Sequence, residues 1–314
     1  LTIRAAGDLN VNASLSDGFL EAKVGVTKFK SVDRDADIAT SGGSWSYRLV
    51  AGADTSAGNP MAVKAAAASE TAGNLLLASN KLIRTGTGDI ALAAQRDITL
   101  SSGAAVYTAG IDDITDPDGF TNASTQLTTD AYIKLKLIFP TGGGNLSVNA
   151  GGDIETGASG AISDWLVRYA ANGKNPQWLP RIASFREGFG VFGGGDLDLS
   201  AGGSLTHVTA VIPTNGRVPL VAGALSAELA EVNGGGDLRV RAGDSINGGT
   251  FYAETGSLLL QARNSLTEGV QIALGNTPVR AVAGIDLEIG SILNPLFSEP
   301  VYKDSRGTNI TSGS

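Results

Sequence analysis

The run Gly236-Asp237-Leu238-Arg239-Val240-Arg241-Ala242-Gly243-Asp244-Ser245-Ile246 decides the fold, because Gly256-Ser257-Leu258-Leu259-Leu260 restarts the same pattern 20 residues after Gly236. Leu-x-Val and Leu-x-Leu alternate with period two, so both apolar side chains face one side of a strand. The preceding Gly-Asp or Gly-Ser is turn chemistry, since glycine admits positive φ and the polar side chain offers local hydrogen bonds. A strand of four or five residues cannot bury its apolar face alone. Stacking one turn of chain on the next, about 4.8 Å apart, buries that face and pairs the backbone above and below.

The same unit recurs along most of the chain. It is seen at Gly7-Asp8-Leu9-Asn10-Val11, Gly73-Asn74-Leu75-Leu76-Leu77, Gly88-Asp89-Ile90-Ala91-Leu92, Gly144-Asn145-Leu146-Ser147-Val148 and Gly195-Asp196-Leu197-Asp198-Leu199, with a weaker echo at Ile285-Asp286-Leu287-Glu288-Ile289. Several copies run on into a second apolar step, as in Arg96-Asp97-Ile98, Ala150-Gly151-Gly152-Asp153-Ile154 and Ala201-Gly202-Gly203-Ser204-Leu205. This predicts an all-β chain, a parallel β-solenoid over residues 1–314, read as one segment of a larger protein. Leu1 opens inside a strand-like pattern and the only methionine is Met61, which is why a longer parent is expected. The steps from Gly88 to Gly144 and from Gly144 to Gly195 are 56 and 51 residues, so they hold either extra coils with degenerate patterning or insertions.

Insertions are expected near 17–62, 110–140 and 160–193. In the first, alternating Trp45, Tyr47 and Leu49 predict a strand. In the third, Ile162, Trp165, Leu166 and Tyr169 fall at helical spacing behind Ser163, which predicts a short helix from Ser163 to about Ala171. Pro176 and Pro180 then predict an irregular loop, with Trp165 and Trp178 lidding the solenoid or packing along its side.

Composition narrows the function classes. Glycine accounts for 43 of 314 residues and charged residues for only 17%, while 42% are hydrophobic, enough for a core and too much for a disordered chain. The absence of cysteine removes disulfides, thiolate metal sites and cysteine nucleophiles. A net charge of −8 without any basic run argues against a nucleic-acid partner. No run of about 18 apolar residues is present, so no helix spans a membrane.

Three aromatic segments in order resemble the filamentous-haemagglutinin-like large exoproteins of two-partner (type V) secretion systems. They are Ser44-Trp45-Ser46-Tyr47-Arg48-Leu49-Val50-Ala51-Gly52-Ala53-Asp54, then Arg84-Thr85-Gly86-Thr87-Gly88-Asp89-Ile90 with Val106-Tyr107-Thr108-Ala109-Gly110, then Trp165-Leu166-Val167-Arg168-Tyr169 with Gly188-Phe189-Gly190 and Gly193-Gly194-Gly195-Asp196. Ile212-Pro213-Thr214-Asn215-Gly216 and Gly234-Gly235-Gly236-Asp237 continue the series, so the likeness covers nearly the whole chain. It implies a right-handed parallel β-helix, exported through an outer-membrane partner transporter as part of a secreted or cell-surface fibre. Adhesion, biofilm cohesion and delivery of a C-terminal toxin are the family's roles. This segment reads as shaft, meeting host or neighbouring-cell surfaces, glycans among them, with further β-helix of the same chain or other copies end to end.

The residues that carry chemistry are sparse. His207 is the only histidine; Ser204 and Asp198 lie near it in sequence, but Leu205-Thr206-His207-Val208 alternates like a strand, so His207 is read as an ordinary outward or packed side chain rather than part of a relay. Asp112, Asp113, Asp116 and Asp118 are oxygen ligands of the kind calcium takes, and beside Pro117 and Gly119 they are also plain turn formers. Asp33, Asp35 and Asp37 begin like an EF-hand loop, but Ile38 and Ser44 replace its required glycine and glutamate. Asp196, Asp198 and Asp237 fall at repeat positions and are expected to stack on one face, as a carbohydrate-cleaving β-helix enzyme requires. Repeat positions align in any solenoid, however, so no catalytic, cofactor-binding or metal-binding residue is assigned and no enzyme is expected. The rival reading is a carbohydrate-binding or carbohydrate-cleaving β-helix, with exposed Trp45 or Trp178 as the stacking surface for sugars.

Overall fold

The computed structural model describes residues 1–20, 37–38, 42–65, 71–112, 140–157, 165–169, 177–180, 182–217, 220–221, 224–225, 231–295, 301–303 and 309–311. Apolar residues recurring at every second position give each turn of chain a strand on each of three faces. The first face is an 8-stranded parallel sheet, running Thr2–Ala5, Tyr47–Ala51, Ile90–Ala94, Leu146–Ala150, Leu197–Ala201, Leu238–Ala242, Leu258–Ala262 and Val279–Ala283 in chain order. Eight coils therefore stack in sequence. The second and third faces join into one 14-stranded sheet, because the seventh coil crosses both with the single strand Leu266–Leu274. The eighth coil follows it with Leu287–Leu293. This is the pairing of a β-solenoid.

Register keeps like above like. Leu49, Leu92, Val148, Leu199, Val240 and Leu260 form one buried column inside the first face. Ala51, Ala94, Ala150, Ala201, Ala242 and Ala262 form a second. The glycine that follows this alanine has a steric cause: a Cβ at Gly151, Gly202, Gly243 or Gly284 would lie 2.0–2.2 Å from a carbonyl oxygen of the preceding coil. Gln95 and Arg263 occupy the same corner in the third and seventh coils.

The polar residue of the repeat does something the sequence did not reveal. Local turn bonds were expected, but the side chain reaches across to the next coil. At the corner before the first face, Ser46 Oγ accepts the Asp89 N–H, Asp89 the Asn145 N–H, Asn145 the Asp196 N–H, Asp196 the Asp237 N–H, and Asp237 the Ser257 N–H, at 2.8–3.1 Å. The corner before the second face repeats this. Asp8 accepts from Gly73 and Asn74, Asn74 from Asp97, Asp97 from Asp153, Asp153 from Ser204, Ser204 from Ser245, Ser245 from Ser265, and Ser265 from Asp286. Each rung closes in both directions: the Ser204 carbonyl accepts the Ile154 N–H at 2.9 Å while its own N–H binds Asp153 at 2.7 Å. Bonding to the Asn74 and Gly73 amides holds the Asp8 carboxyl below the usual carboxylate range.

Two ladders therefore underlie what reads as one motif. Gly7-Asp8, Gly73-Asn74 and the Asp286 echo belong to the second corner, with Asp97 and Asp153, and not with Asp89 or Asp196. The long gaps are settled as well. Asp89 and Asn145, 56 residues apart, are rung partners in adjacent coils, so the gap holds an insertion and no extra coil.

The third face is buried on both sides. Its inward column Ile83, Val106, Phe189, Ala210, Phe251 and Ile272 belongs to the main core. Its outward side carries Tyr107, Val211, Tyr252 and Ala273 beneath Trp165, Ile182 and Phe185, from the chain inserted before the fourth coil regains this face, and Phe192, which follows that coil's strand Gly188–Val191. Trp165 stands edge-on to Phe185 and Phe192, with centroids 5.7 and 5.9 Å away. Gly190 makes room for these rings, since a Cβ there would lie 2.7 Å from Phe192 and 3.1 Å from Phe185.

Within the helix expected from Ser163 to about Ala171, the described residues form a strand at Leu166–Tyr169. Leu166–Tyr169 pairs antiparallel with Gln177–Pro180, which pairs with Thr214–Arg217, which pairs with Glu231–Gly234, making a four-stranded lateral sheet. Trp-Leu-Val-Arg-Tyr is rich in aromatic and β-branched residues, and the available neighbouring strand overrides a helical spacing only one turn long. Ser163 and Pro176 lie outside the described residues; Pro180 ends a strand. Trp165 packs along the side of the solenoid, as one of the two expected placements had it. Tyr47–Ala51 and Gly188–Val191, within the stretches read as departures, are solenoid strands.

A rung should be measurable singly. Asp153→Ala removes the acceptor for the Ser204 N–H and should lower unfolding stability by about 1–2 kcal/mol, whereas Asp153→Asn keeps an acceptor, as Asn145 does, and should lose less than half of that. Denaturant midpoints at constant slope check it.

Candidate functional site

The outward side of the first face carries an open trough. Its outward positions run Ala91 and Ala93 in the third coil, Ser147 and Asn149 in the fourth, Asp198 and Ser200 in the fifth, and Arg239 and Arg241 in the sixth. The small side chains leave a shallow trough of about 600 Å³, floored by Ala91, Ala93, Ser147, Asn149 and Ser200. Met61 and Val63 wall one side. They ride on a loop that turns back on itself, with Asp54 N–H bonded to Ala62 O at 3.0 Å and Lys64 N–H to Gly52 O at 2.8 Å. Beneath them Val50 and Ala93, although outward on the sheet, are buried. The Ser56 hydroxyl and N–H bind the Asp54 carboxylate at 2.6 and 3.0 Å and hold its pKa below the usual range. Asn149 donates to Ser147 Oγ at 3.1 Å, so the middle of the floor is polar and internally bonded.

The charged side chains lie beyond the trough's fifth-coil edge. Asp196, Asp198 and Asp237 do converge, as their repeat positions predict, but around a cation. Arg239 Nη1 lies 3.7 Å from Asp196 and 3.5 Å from Asp198, and Arg239 Nη2 binds Asp237. Arg241 reaches Asp198 at 3.8 Å. The sequence reading singled out the three carboxylates and missed both arginines, although Leu238-Arg239-Val240-Arg241 alternates plainly and register places Arg239 beside Asp198. The arrangement is a half-exposed ion network tying the fifth coil to the sixth.

The other candidate residues are spread over the molecule. His207 is exposed and sits at φ 53° in the corner between the second and third faces, its Nε2 3.6 Å from the Glu268 carboxylate. Gly248 of the intervening coil occupies the same corner, and His207 Cδ2 would lie 3.2 Å from a Cβ there. Ser204 Oγ accepts the Ser245 N–H and Asp198 faces arginines, so these three side chains do not form a relay. Asp112 stands in a two-residue strand against Pro140–Thr141, and Asp37 in one against Phe19–Leu20. Asp113, Asp116, Asp118, Asp33 and Asp35 lie outside the described residues. Among the described residues no three His, Asp or Glu side chains are arranged to hold a metal ion.

Trp45 is 68% exposed, at the corner leading into the second coil's first strand. Its N–H bonds the Asp17 carboxylate, and Ser44 Oγ accepts the Gly88 N–H at 2.8 Å, so a firm corner presents the free indole. Beside it, burial pushes the Tyr47 phenol up to about 12, with the Asp17 charge adding to the shift. Trp178 is half-buried and donates its indole N–H to Thr214 Oγ1 at 2.9 Å. Two buried charges had no sequence signal beyond their identity. Arg84 lies 3.9 Å over the Phe19 ring and bonds Ser16 at 2.9 Å and Tyr107 at 3.0 Å. Glu254 accepts from the Tyr252 hydroxyl at 2.7 Å and the Thr214 N–H at 3.1 Å, anchoring the start of the third strand of the lateral sheet.

No family model, curated protein or solved structure matches this chain.

If Arg239 serves only to tie coils, Arg239→Ala should cost about 1 kcal/mol or less at low ionic strength, given the solvent exposure of Arg239 and its three carboxylate partners, and the difference should shrink in high salt. Paired denaturation curves at two salt concentrations measure it.

Proposed function

We propose that this chain is a right-handed parallel β-helix forming part of the shaft of a secreted or cell-surface bacterial fibre, serving adhesion or contact between cells. The handedness follows the general rule for parallel strand connections, right-handed in about 98% of cases because strands twist that way. The observation that carries the reading is the stack itself: eight coils follow one another in register, joined by two corner ladders, and such a stack adds length along one axis with every further coil. The resemblance to filamentous-haemagglutinin-like exoproteins adds export through an outer-membrane partner transporter and a place on or shed from the cell surface. On this reading the chain performs no turnover, and the Asp196, Asp198, Asp237 and Arg239 network holds coils together.

A second reading is favoured by Trp45. An exposed indole on a firm corner is a stacking platform for a sugar ring, and it makes the shaft a glycan-binding surface as well as a spacer. Quenching or shift of tryptophan fluorescence by glycans, lost in Trp45→Ala, would establish it; an unchanged response in that variant would remove it.

Negative-stain electron microscopy of the native material containing this chain tests the main reading. Long thin fibres are expected. Discrete compact particles would overturn the shaft and turn attention to polysaccharide turnover at the carboxylates.

A further inference from the structure

Three successive coils place a residue at positive φ in one corner. His207 in the fifth coil, Gly248 in the sixth and Glu268 in the seventh follow one another in register between the second and third faces, at φ 53°, 63° and 58°. The backbone there is fixed from both sides. The His207 N–H donates to Asn247 O at 2.9 Å, the Gly248 N–H to Thr267 O at 2.8 Å, and Thr156 Oγ1 to His207 O at 2.7 Å. Glycine is the residue this conformation favours, because a Cβ crowds the neighbouring carbonyl oxygen. The sixth coil has glycine, whereas the coils on either side carry the chain's only histidine and a glutamate. A side chain kept at positive φ against that cost is a mark of use.

The two side chains meet over the glycine. Their backbones are two coil steps apart, about 9.6 Å at strand spacing, yet His207 Nε2 lies 3.6 Å from Glu268 Oε2. Gly248 leaves the room for this: a Cβ there would lie 3.2 Å from His207 Cδ2 and 3.9 Å from Glu268 Cβ, so a longer side chain would part them. A separation of 3.6 Å is too long for an N–H···O hydrogen bond, whose range ends at about 3.2 Å. It is close to the span of two ligands on one tetrahedral ion. Metal–nitrogen and metal–oxygen bonds of about 2.0–2.2 Å set the two ligand atoms about 3.3–3.5 Å apart. Both side chains are exposed, and among the described residues no lysine or arginine pairs with Glu268.

We propose that His207 and Glu268 form a two-ligand site for a divalent transition-metal ion of the zinc class, with water in the remaining positions. An imidazole nitrogen beside one carboxylate suits Zn²⁺, Ni²⁺ or Cu²⁺, whereas Ca²⁺ and Mg²⁺ take oxygen ligands. The ion clips the fifth coil to the seventh across the sixth, a longer reach than any rung of the two ladders, which join adjacent coils. Its water-filled positions stay open to solvent. The site is a property of this corner and stands whether or not the chain belongs to a fibre.

A single histidine and the absence of cysteine make the test clean. Zn²⁺ is titrated into the metal-free 314-residue chain, with calorimetry and the imidazole NMR signals of His207 as readouts. One equivalent should bind, the imidazole signals should shift to saturation through Nε2, and Tm should rise with zinc because the ion binds the folded chain. His207→Gly, which suits the backbone at φ 53°, should abolish both the binding and the rise in Tm. Glu268→Gln keeps the size and removes the charge; it should weaken binding by about tenfold or more, the least that losing a supporting partner of a metal ligand costs. Imidazole signals unmoved by zinc overturn the site. So does unchanged affinity in Glu268→Gln, which would put the ion on the histidine alone, and so does equal binding in His207→Gly, which would put it elsewhere.

Discussion

Everything in this molecule depends on a hydrogen bond made between coils by a side chain. Asp, Asn or Ser at a corner accepts the backbone N–H of its counterpart one coil on, whose carbonyl takes back the N–H of the next residue. The bond forces each corner directly over the last, and that in turn forces each strand into register. Once register holds, every inward side chain stacks on its equivalent, and the core becomes a few uniform columns of Leu, Val, Ile and Ala. The glycine after the column alanine follows from the same closeness, because at most of these corners a Cβ would strike the preceding coil's carbonyl oxygen.

Stacking also fixes what the outer faces can carry. The first face shows small and polar residues, then an Asp-Arg network, because outward positions recur beside one another in adjacent coils. The third face cannot be a free surface, since aromatic residues from an inserted segment cover it and make a second core. The insertions therefore have an ordering role beyond projecting from the rod. Trp165 and Phe185 clamp one segment onto Tyr107, Phe192 and Tyr252, and Glu254 positions the third strand of the lateral sheet through Thr214.

The solenoid was legible because its physics is local and repeated. Leu-x-Val after Gly-Asp specifies a strand and a corner each time, and 20-residue spacing names the coil. The Tyr47 strand was legible for the same reason. The helix expected from Ser163 was not to be had, because a single turn of helical spacing is weak against an adjacent strand ready to pair. The carboxylates at Asp196, Asp198 and Asp237 stand out at repeat positions, whereas Arg239 and Arg241 become their partners only once register sets the sixth coil beside the fifth, because an alternating arginine also reads as an ordinary solvent-facing residue.

The sequence by itself determined the class of architecture, the inward columns and the positions of the corners, because each of these needs only period-two alternation and turn chemistry within a few residues. Only the tertiary structure decided that the corners form two separate ladders, that a gap of 56 residues is one coil with an insertion, and that the third face is buried on both sides. Those properties depend on which residues meet across 20 to 66 positions of chain, and that distance carries no mark in the local pattern.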